Sequence, residues 1–283
     1  SAFGLQHELC RGGMVMSFLV KRPEGEGLIQ VVERRKMKYE SFALLKGKSE
    51  EAFSLPASDE EKAMVLLSGR FEANVGSKVF VTGYRKDVFS SNAWAIYVPP
   101  GIEASVKMLL PSEVAIAAAP ATSQGEAFMV TPDDVRAKSA GVWNWRRDVK
   151  DIIDGRHKVE KLIIGETINA PGNWSGWPPH KHDTENFPVE VVMEEIYHFR
   201  IKPQGGFGIQ RIYDGKELDE LYVINDGDTV MLPKGYHPVV AAPGYSLYYL
   251  WILSGETRFM APYEDPAHVW QRGAEAVINE VLR

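Results

Sequence analysis

The chain has 283 residues, a formal net charge of −6 and a hydrophobic fraction of 45%. That is enough apolar material for one large domain or two of ordinary size. The acidic balance argues against a nucleic-acid footprint, which needs a basic face, and against attraction to an anionic membrane surface. No apolar run approaches the roughly 20 residues that a bilayer span needs. A single cysteine, Cys10, excludes an intrachain disulfide framework and reads as a structural thiol in a reducing compartment. The N-terminal Ser1-Ala2-Phe3-Gly4 carries no signal-peptide pattern, so a cytoplasmic location is expected.

Short β-type runs dominate the chain. They fall at 13–20, 41–45, 64–67, 71–75, 78–82, 95–98, 105–108 and 114–118. The second half continues at 161–169, 191–201, 207–213, 220–224, 229–232 and 246–253. Gly, Pro, Asn and Asp clusters separate them at short intervals, which predicts an all-β sandwich or barrel. Asp214-Gly215 and Asn225-Asp226-Gly227-Asp228 read as tight turns. Helical signals are sparse. Thr131-Pro132-Asp133-Asp134 predicts a cap and a short helix to about residue 139, and a closing helix is expected over about 267–282.

A faint internal repeat sets the domain organisation. Ile96-Tyr97-Val98-Pro99-Pro100-Gly101-Ile102-Glu103 parallels Val230-Met231-Leu232-Pro233-Lys234-Gly235-Tyr236-His237. Each is a β-run closing on Pro-x-Gly, but Glu103 stands where the second copy has His237. Two related β-barrels are therefore expected, the first without metal ligands. The break falls within the polar, Trp-rich connector of about 124–154, giving units of 1–140 and 141–283.

The chemistry concentrates in Pro178-Pro179-His180-Lys181-His182-Asp183 and the acidic pair Glu194-Glu195. In period-2 structure His180 and His182 share a side and Lys181 points away. Two imidazoles so placed can hold one metal ion, with further ligands from elsewhere in the fold. On its own His-x-His is weak, because a pair of surface histidines reads the same. The segment from Gly227 to His237 strengthens it: Pro233 and Gly235 set a turn that delivers His237 at a strand end. Three imidazoles and a carboxylate would suit one divalent transition metal, Zn, Fe, Mn, Ni or Co.

These motifs resemble the two cupin motifs, although the spacing from His182 to Glu194 is longer than usual and Gly235 stands one residue closer to His237. The likeness sharpens with Gly172-Asn173-Trp174-Ser175-Gly176-Trp177-Pro178-Pro179-His180-Lys181-His182-Asp183 and Glu194-Glu195-Ile196-Tyr197. It continues through Gly206-Phe207, Gln210-Arg211-Ile212-Tyr213, Leu218-Asp219-Glu220 and Gly235-Tyr236-His237-Pro238-Val239. Gly244-Tyr245, Tyr248-Tyr249-Leu250 and Asp265-Pro266-Ala267-His268-Val269-Trp270 complete the set. Together they resemble the 5-deoxy-glucuronate isomerase family of inositol breakdown, related to the uronate ketol-isomerases.

That resemblance implies a bicupin fold and metal-dependent aldose–ketose isomerisation of a small sugar acid. The product would be 5-dehydro-2-deoxy-D-gluconate. It implies His180, His182 and His237 as metal ligands, with Glu194 favoured over Glu195 as the carboxylate. If Glu194 faces the metal, so do Ile196, His198 and Arg200; if Glu195 does, Tyr197, Phe199 and Ile201 form the inward wall. Glu195, His198 and Tyr249 are candidates to move the proton, and His198 departs from the tyrosine usual there. Arg211, Gln210, Tyr213 and Arg200 are candidates to hold the substrate, Arg211 or Arg200 by its carboxylate. An ion pair with structural duty competes for Arg211, and core packing for the tyrosines. Trp174 and Trp177 are expected to shape the rim, His268 to be structural, and His7 and His157 to lie outside the site. A homo-oligomer is expected from the cupin habit of associating through strand edges. Alternative readings are a cupin oxygenase, a 5-keto-4-deoxyuronate-type ketol-isomerase and a non-catalytic sugar-acid binding module.

Overall fold

The computed structural model describes residues 17–123 and 125–281. Cys10, His7 and the start of the 13–20 run lie outside the described residues. The chain is nearly all β, with one α-helix at Gln271–Val281 that matches the expected closing helix. The other predicted helix is not there. Thr131-Pro132-Asp133-Asp134 forms a turn, in which the Asp134 carboxylate accepts from the Thr131 N–H and hydroxyl, and the chain continues as the strand Arg136–Ala140. The same bond would also cap a helix, but here the chain passes straight from the turn into strand pairing with Arg147–Ile153.

Two large antiparallel sheets carry the molecule. The six-stranded one draws Gly27–Val32, Ser41–Gly47, Glu60–Ser68, Ala95–Val98, Ser112–Pro120 and Phe128–Val130 from the first half. The seven-stranded one joins Arg136–Ala140, Arg147–Ile153, Ile163–Asn169, Ser246–Ser254, Glu194–Lys202, Thr229–Leu232 and the early Leu19–Val20. Two four-stranded sheets cover their outer faces. The expected break near residue 140 is crossed twice. Leu19–Val20 pairs with Thr229–Leu232, and Arg136–Ala140 pairs with Arg147–Ile153.

Strict alternation sorts the side chains into layers. In Ser246–Ser254, Tyr248, Leu250 and Ile252 enter the core shared by the two large sheets, with Phe42, Leu44 and Val65 opposite. Leu247, Tyr249, Trp251 and Leu253 enter a second core beneath the four-stranded sheet that holds Phe207–Tyr213. A third core fills the first half around Phe71, Leu66 and Met108. A strand buried on both faces reads as an unbroken apolar run, as Leu247-Tyr248-Tyr249-Leu250-Trp251-Ile252-Leu253 does.

Two buried ionic knots tie the halves together. Arg85 donates from Nη1 and Nη2 to the Glu166 carboxylate at 2.8 and 3.0 Å, and both side chains are fully buried. The Glu61 carboxylate accepts from the Glu160, Lys161 and Leu162 N–H groups and from the Tyr97 hydroxyl.

Candidate functional site

The site forms where three segments meet over the inward face of Glu194–Lys202. The short strand His180–Lys181 pairs with Tyr263–Glu264, and His182 follows it directly. Gly235, at φ +89°, makes the bend that presents His237; a Cβ there would be strained and would lie 3.0 Å from the Tyr213 carbonyl oxygen. The Asp183 carboxylate accepts from the Gly235 N–H at 2.8 Å, locking the His-x-His segment to this bend. Lys181 points away, towards Asp183, Thr184 and Glu190.

His182, Glu195 and His237 are buried, and one ligand atom from each lies within 4.8 Å of the others. The Nδ1 atom of His182 sits 2.6 Å from the Met193 carbonyl oxygen, and that of His237 lies 2.8 Å from the Gly235 carbonyl oxygen. A carbonyl only accepts, so each Nδ1 carries the proton and each Nε2 turns a lone pair inward. Both Nε2 atoms face the Glu195 Oε2, at 3.1 and 3.2 Å. Three lone-pair donors converging in a buried space require a cation between them, either a proton or a metal ion.

The electrostatics follow this geometry. Burial works against the charged Glu195 carboxylate, but the two imidazoles hold its pKa down to about 2. Burial also opposes the His182 imidazolium, and Glu195 outweighs it, raising that pKa above the ordinary value. His180 lies a step out, its ring centroid 4.9 Å from that of His237 and 6.3 Å from that of His182. Burial, with His237 and His182 beside it, lowers its pKa to about 3, so its imidazole is neutral.

The carboxylate assignment is corrected. Glu195, not Glu194, stands beside the histidines. Glu194 projects from the opposite face of the strand, where its Oε2 accepts from the Tyr39 N–H at 2.8 Å. The inward wall is accordingly Tyr197, Phe199 and Ile201. His198 is corrected with it: it is fully buried between the large sheets, 2.9 Å from the Thr229 hydroxyl and against Phe42. No proton route to substrate passes there. Glu195 itself stands with His182 and His237 in a group that could hold a metal ion.

The substrate-holding candidates are also displaced. Arg211 is a surface residue whose Nε and Nη2 both donate to Asp219 at 2.8 Å. Arg200 leans on Glu113, at 2.6 Å, in a separate crevice between the halves. The Tyr213 hydroxyl donates to Asp265 at 2.6 Å, outside the cavity lining. Gln210 is buried beneath the site, donating to the His237 carbonyl oxygen at 2.6 Å and that of Pro238 at 3.2 Å, so it supports the bend. Tyr249 does line the cavity, donating to the Ser175 hydroxyl at 3.0 Å. Burial lifts its pKa above the ordinary phenol value, so it acts as a hydrogen-bonding hydroxyl rather than a base. Trp174 and Trp177 pack together, and His268 packs on Trp177. His157 stacks on Phe128 away from the site.

A cavity of about 260 Å³ opens onto the cluster. Tyr197, Tyr249, Trp251 and Leu253 form its floor, and His180, His182 and Glu195 line it as well. Arg147 lines it too. Sequence reasoning passed over this residue because it sits in the polar connector, beside Arg146 and Asp148, where a charge run reads as solvated surface.

A nearly all-β protein with a buried His/Glu cluster opening into a small polar-rimmed cavity belongs among the cupin-like proteins. Residues 18–271 match the KduI/IolB family, and the chain belongs to that family. It is 37% identical over 237 residues to the 5-deoxy-glucuronate isomerase of Geobacillus kaustophilus, covering 82% of this chain and 84% of that protein. It is 31% identical to that of Halalkalibacterium halodurans over 267 residues, 90% of this chain and 99% of the relative. An IolB-like protein of Salmonella typhimurium LT2 superposes with a TM-score of 0.88 at 30% identity, over 91% of this chain and all of that one. Oxalate decarboxylase of Lactobacillus farciminis shares the fold at a TM-score of 0.61 and 12% identity, over 89% of each chain.

Proposed function

We propose that this protein is an aldose–ketose isomerase that converts 5-deoxy-D-glucuronate to 5-dehydro-2-deoxy-D-gluconate in inositol breakdown. The scaffold in this reading is a pair of cupin-type barrels with the break near residue 140, of which the second holds one divalent transition metal. The relatives' activity supports the reaction, and the convergence of the His182, Glu195 and His237 lone pairs carries the metal dependence. His180, a neutral imidazole at the rim of the same cluster, completes the ligand set.

A divalent cation bound here supplies a Lewis acid for the substrate's carbonyl and neighbouring hydroxyl oxygens. The chain contributes the rest. The Nδ1–H bonds to Met193 and Gly235 hold two imidazoles in the tautomer that exposes Nε2. Tyr197 and Tyr249, both kept protonated by burial, line the path of the sugar as hydroxyls. Trp251 and Leu253 keep that floor apolar and exclude water from the reacting carbons. The reading also carries a cytoplasmic homo-oligomer, which sedimentation would test.

The direct test joins metal analysis to a turnover assay. Protein stripped with chelator should lose conversion of 5-deoxy-glucuronate and regain it with one equivalent of a divalent metal per chain. Full turnover by metal-free protein, or oxygen uptake in place of isomerisation, sinks the reading.

A further inference from the structure

The geometry points to Arg147 as the residue that anchors the carboxylate of the sugar acid, in the cavity that the His/Glu cluster also lines. This inference rests on the isomerase reading and names a contact that it leaves open.

Three cations line the cavity, Lys138, Arg147 and Arg272, with three acids, Asp151, Glu195 and Glu264. Two of the cations are already paired. Lys138 donates to Asp151 at 3.0 Å, and Arg272 is held by Glu264 and Glu275. Arg147 has no acid of its own. Its Nη1 donates to two backbone carbonyls, that of Trp177 at 3.0 Å and that of Trp145 at 3.2 Å. Its Nε and Nη2 hydrogens have no protein acceptor among the described residues.

A guanidinium carries five donors in a fixed plane, and its free edge matches the two oxygens of a carboxylate. Half-buried, with no ion-pair contact among the described residues and Glu275 acting only at longer range, Arg147 is poorly compensated, and an anionic ligand would improve that balance. The surroundings hold the fork in place. At Gly141, φ +72°, an added Cβ would lie 2.3 Å from the Trp145 carbonyl oxygen that Arg147 holds and 2.9 Å from Nη1, so a side chain there would disturb that contact. The Trp177 carbonyl that Arg147 holds lies three residues before His180. One side chain therefore links the cavity wall to the segment bearing the histidines. The charge of Arg147 also contributes to depressing the His180 imidazole, which places the two within electrostatic reach. An open-chain sugar acid carries its carbonyl at one end and its carboxylate at the other, so it can present the first to the cluster and the second to Arg147.

The test compares the metal-loaded wild type with Arg147→Met and Arg147→Lys in two assays. In turnover of 5-deoxy-glucuronate, Arg147→Met should raise KM by roughly 10- to 100-fold, with kcat changed far less, as expected for losing a charged hydrogen-bonded contact to the substrate. Calorimetric titration with D-glucuronate and with D-glucose asks about the carboxylate directly. The wild type should prefer the uronate, and Arg147→Met should lose that preference while keeping its metal. Arg147→Lys, which keeps the charge but not the fork, should fall between, and it serves if the methionine variant does not fold. The inference is overturned if the wild type shows no preference for the uronate. It is equally overturned if a folded variant keeps both the preference and the KM, or loses metal and kcat together. Absence of wild-type turnover sinks the isomerase reading alone, and the titration still judges Arg147.

Discussion

At the scale of single residues, the adjacent acids Glu194 and Glu195 have opposite environments because a strand turns successive side chains to opposite faces. Glu195 meets two imidazoles, and Glu194 caps a backbone N–H of the first half. Glu195→Gln should therefore lower metal content and activity by at least about 100-fold. Glu194→Gln keeps an acceptor for Tyr39 and should retain one metal per chain; metal analysis of the two purified variants decides between the faces. The histidines were legible in the sequence because His-x-His and a Pro-x-Gly turn before a histidine are local patterns. Which of two neighbouring acids looked inward was not, because both parities bury plausible side chains. Arg147 was illegible for a different reason. Its significance comes from the acid it lacks, and a missing partner leaves no mark on a sequence.

At the scale of elements, the apolar runs located the strands well, since a strand covered on both faces needs no polar alternation. The turn at Thr131 was misread because Thr-Pro-Asp-Asp, with Asp134 bonded back to Thr131, suits a helix start and a tight turn alike; strand pairing of Arg136–Ala140 with Arg147–Ile153 decides for the turn. Burial on both faces has an energetic signature. Leu250, fully buried between the large sheets, should lose about 2–5 kcal/mol of stability as alanine. Val223, 56% exposed on the outermost strand of the small sheet, should change stability by less than about 0.5 kcal/mol as alanine. Urea unfolding of the two variants checks the layering. Equal losses would mean that the outer hairpin is covered.

At the scale of the whole molecule, charges sealed between the halves govern how they hold together. Replacing Arg85 or Glu166 alone by a neutral residue strands its buried partner and should cost about 3–5 kcal/mol. Replacing both with apolar residues of similar size should cost much less, so a double-mutant cycle in urea should show strong coupling. Glu40 behaves differently. It is fully buried, neither carboxylate oxygen has a hydrogen-bond partner, and burial, with Glu194 and Glu195 nearby, raises its pKa well above the ordinary value. The folded state thus keeps a proton that the unfolded chain gives up above about pH 4.3. Its contribution to stability is complete below that pH and is lost as pH rises through the folded-state pKa. Glu40→Gln should flatten the decline of Tm as pH rises above about 4.3 and raise Tm at the alkaline end. Parallel Tm profiles for variant and wild type would contradict this.

The Leu19–Val20 strand lies at the margin of the seven-stranded sheet, hydrogen-bonded to Val230 and its neighbour. Met231 also donates its N–H to the Phe18 carbonyl oxygen, and Arg22 donates its own to Asp228. On a translating ribosome this early segment has nothing to dock on until some two hundred further residues have emerged. The earliest described strand of the seven-stranded sheet therefore waits on one of its latest, and the sheet is complete only once Ser246–Ser254 has followed. A nascent product, or one cut short before Thr229–Leu232, therefore leaves the margin of Leu19–Val20 unpaired and open to a neighbouring polypeptide.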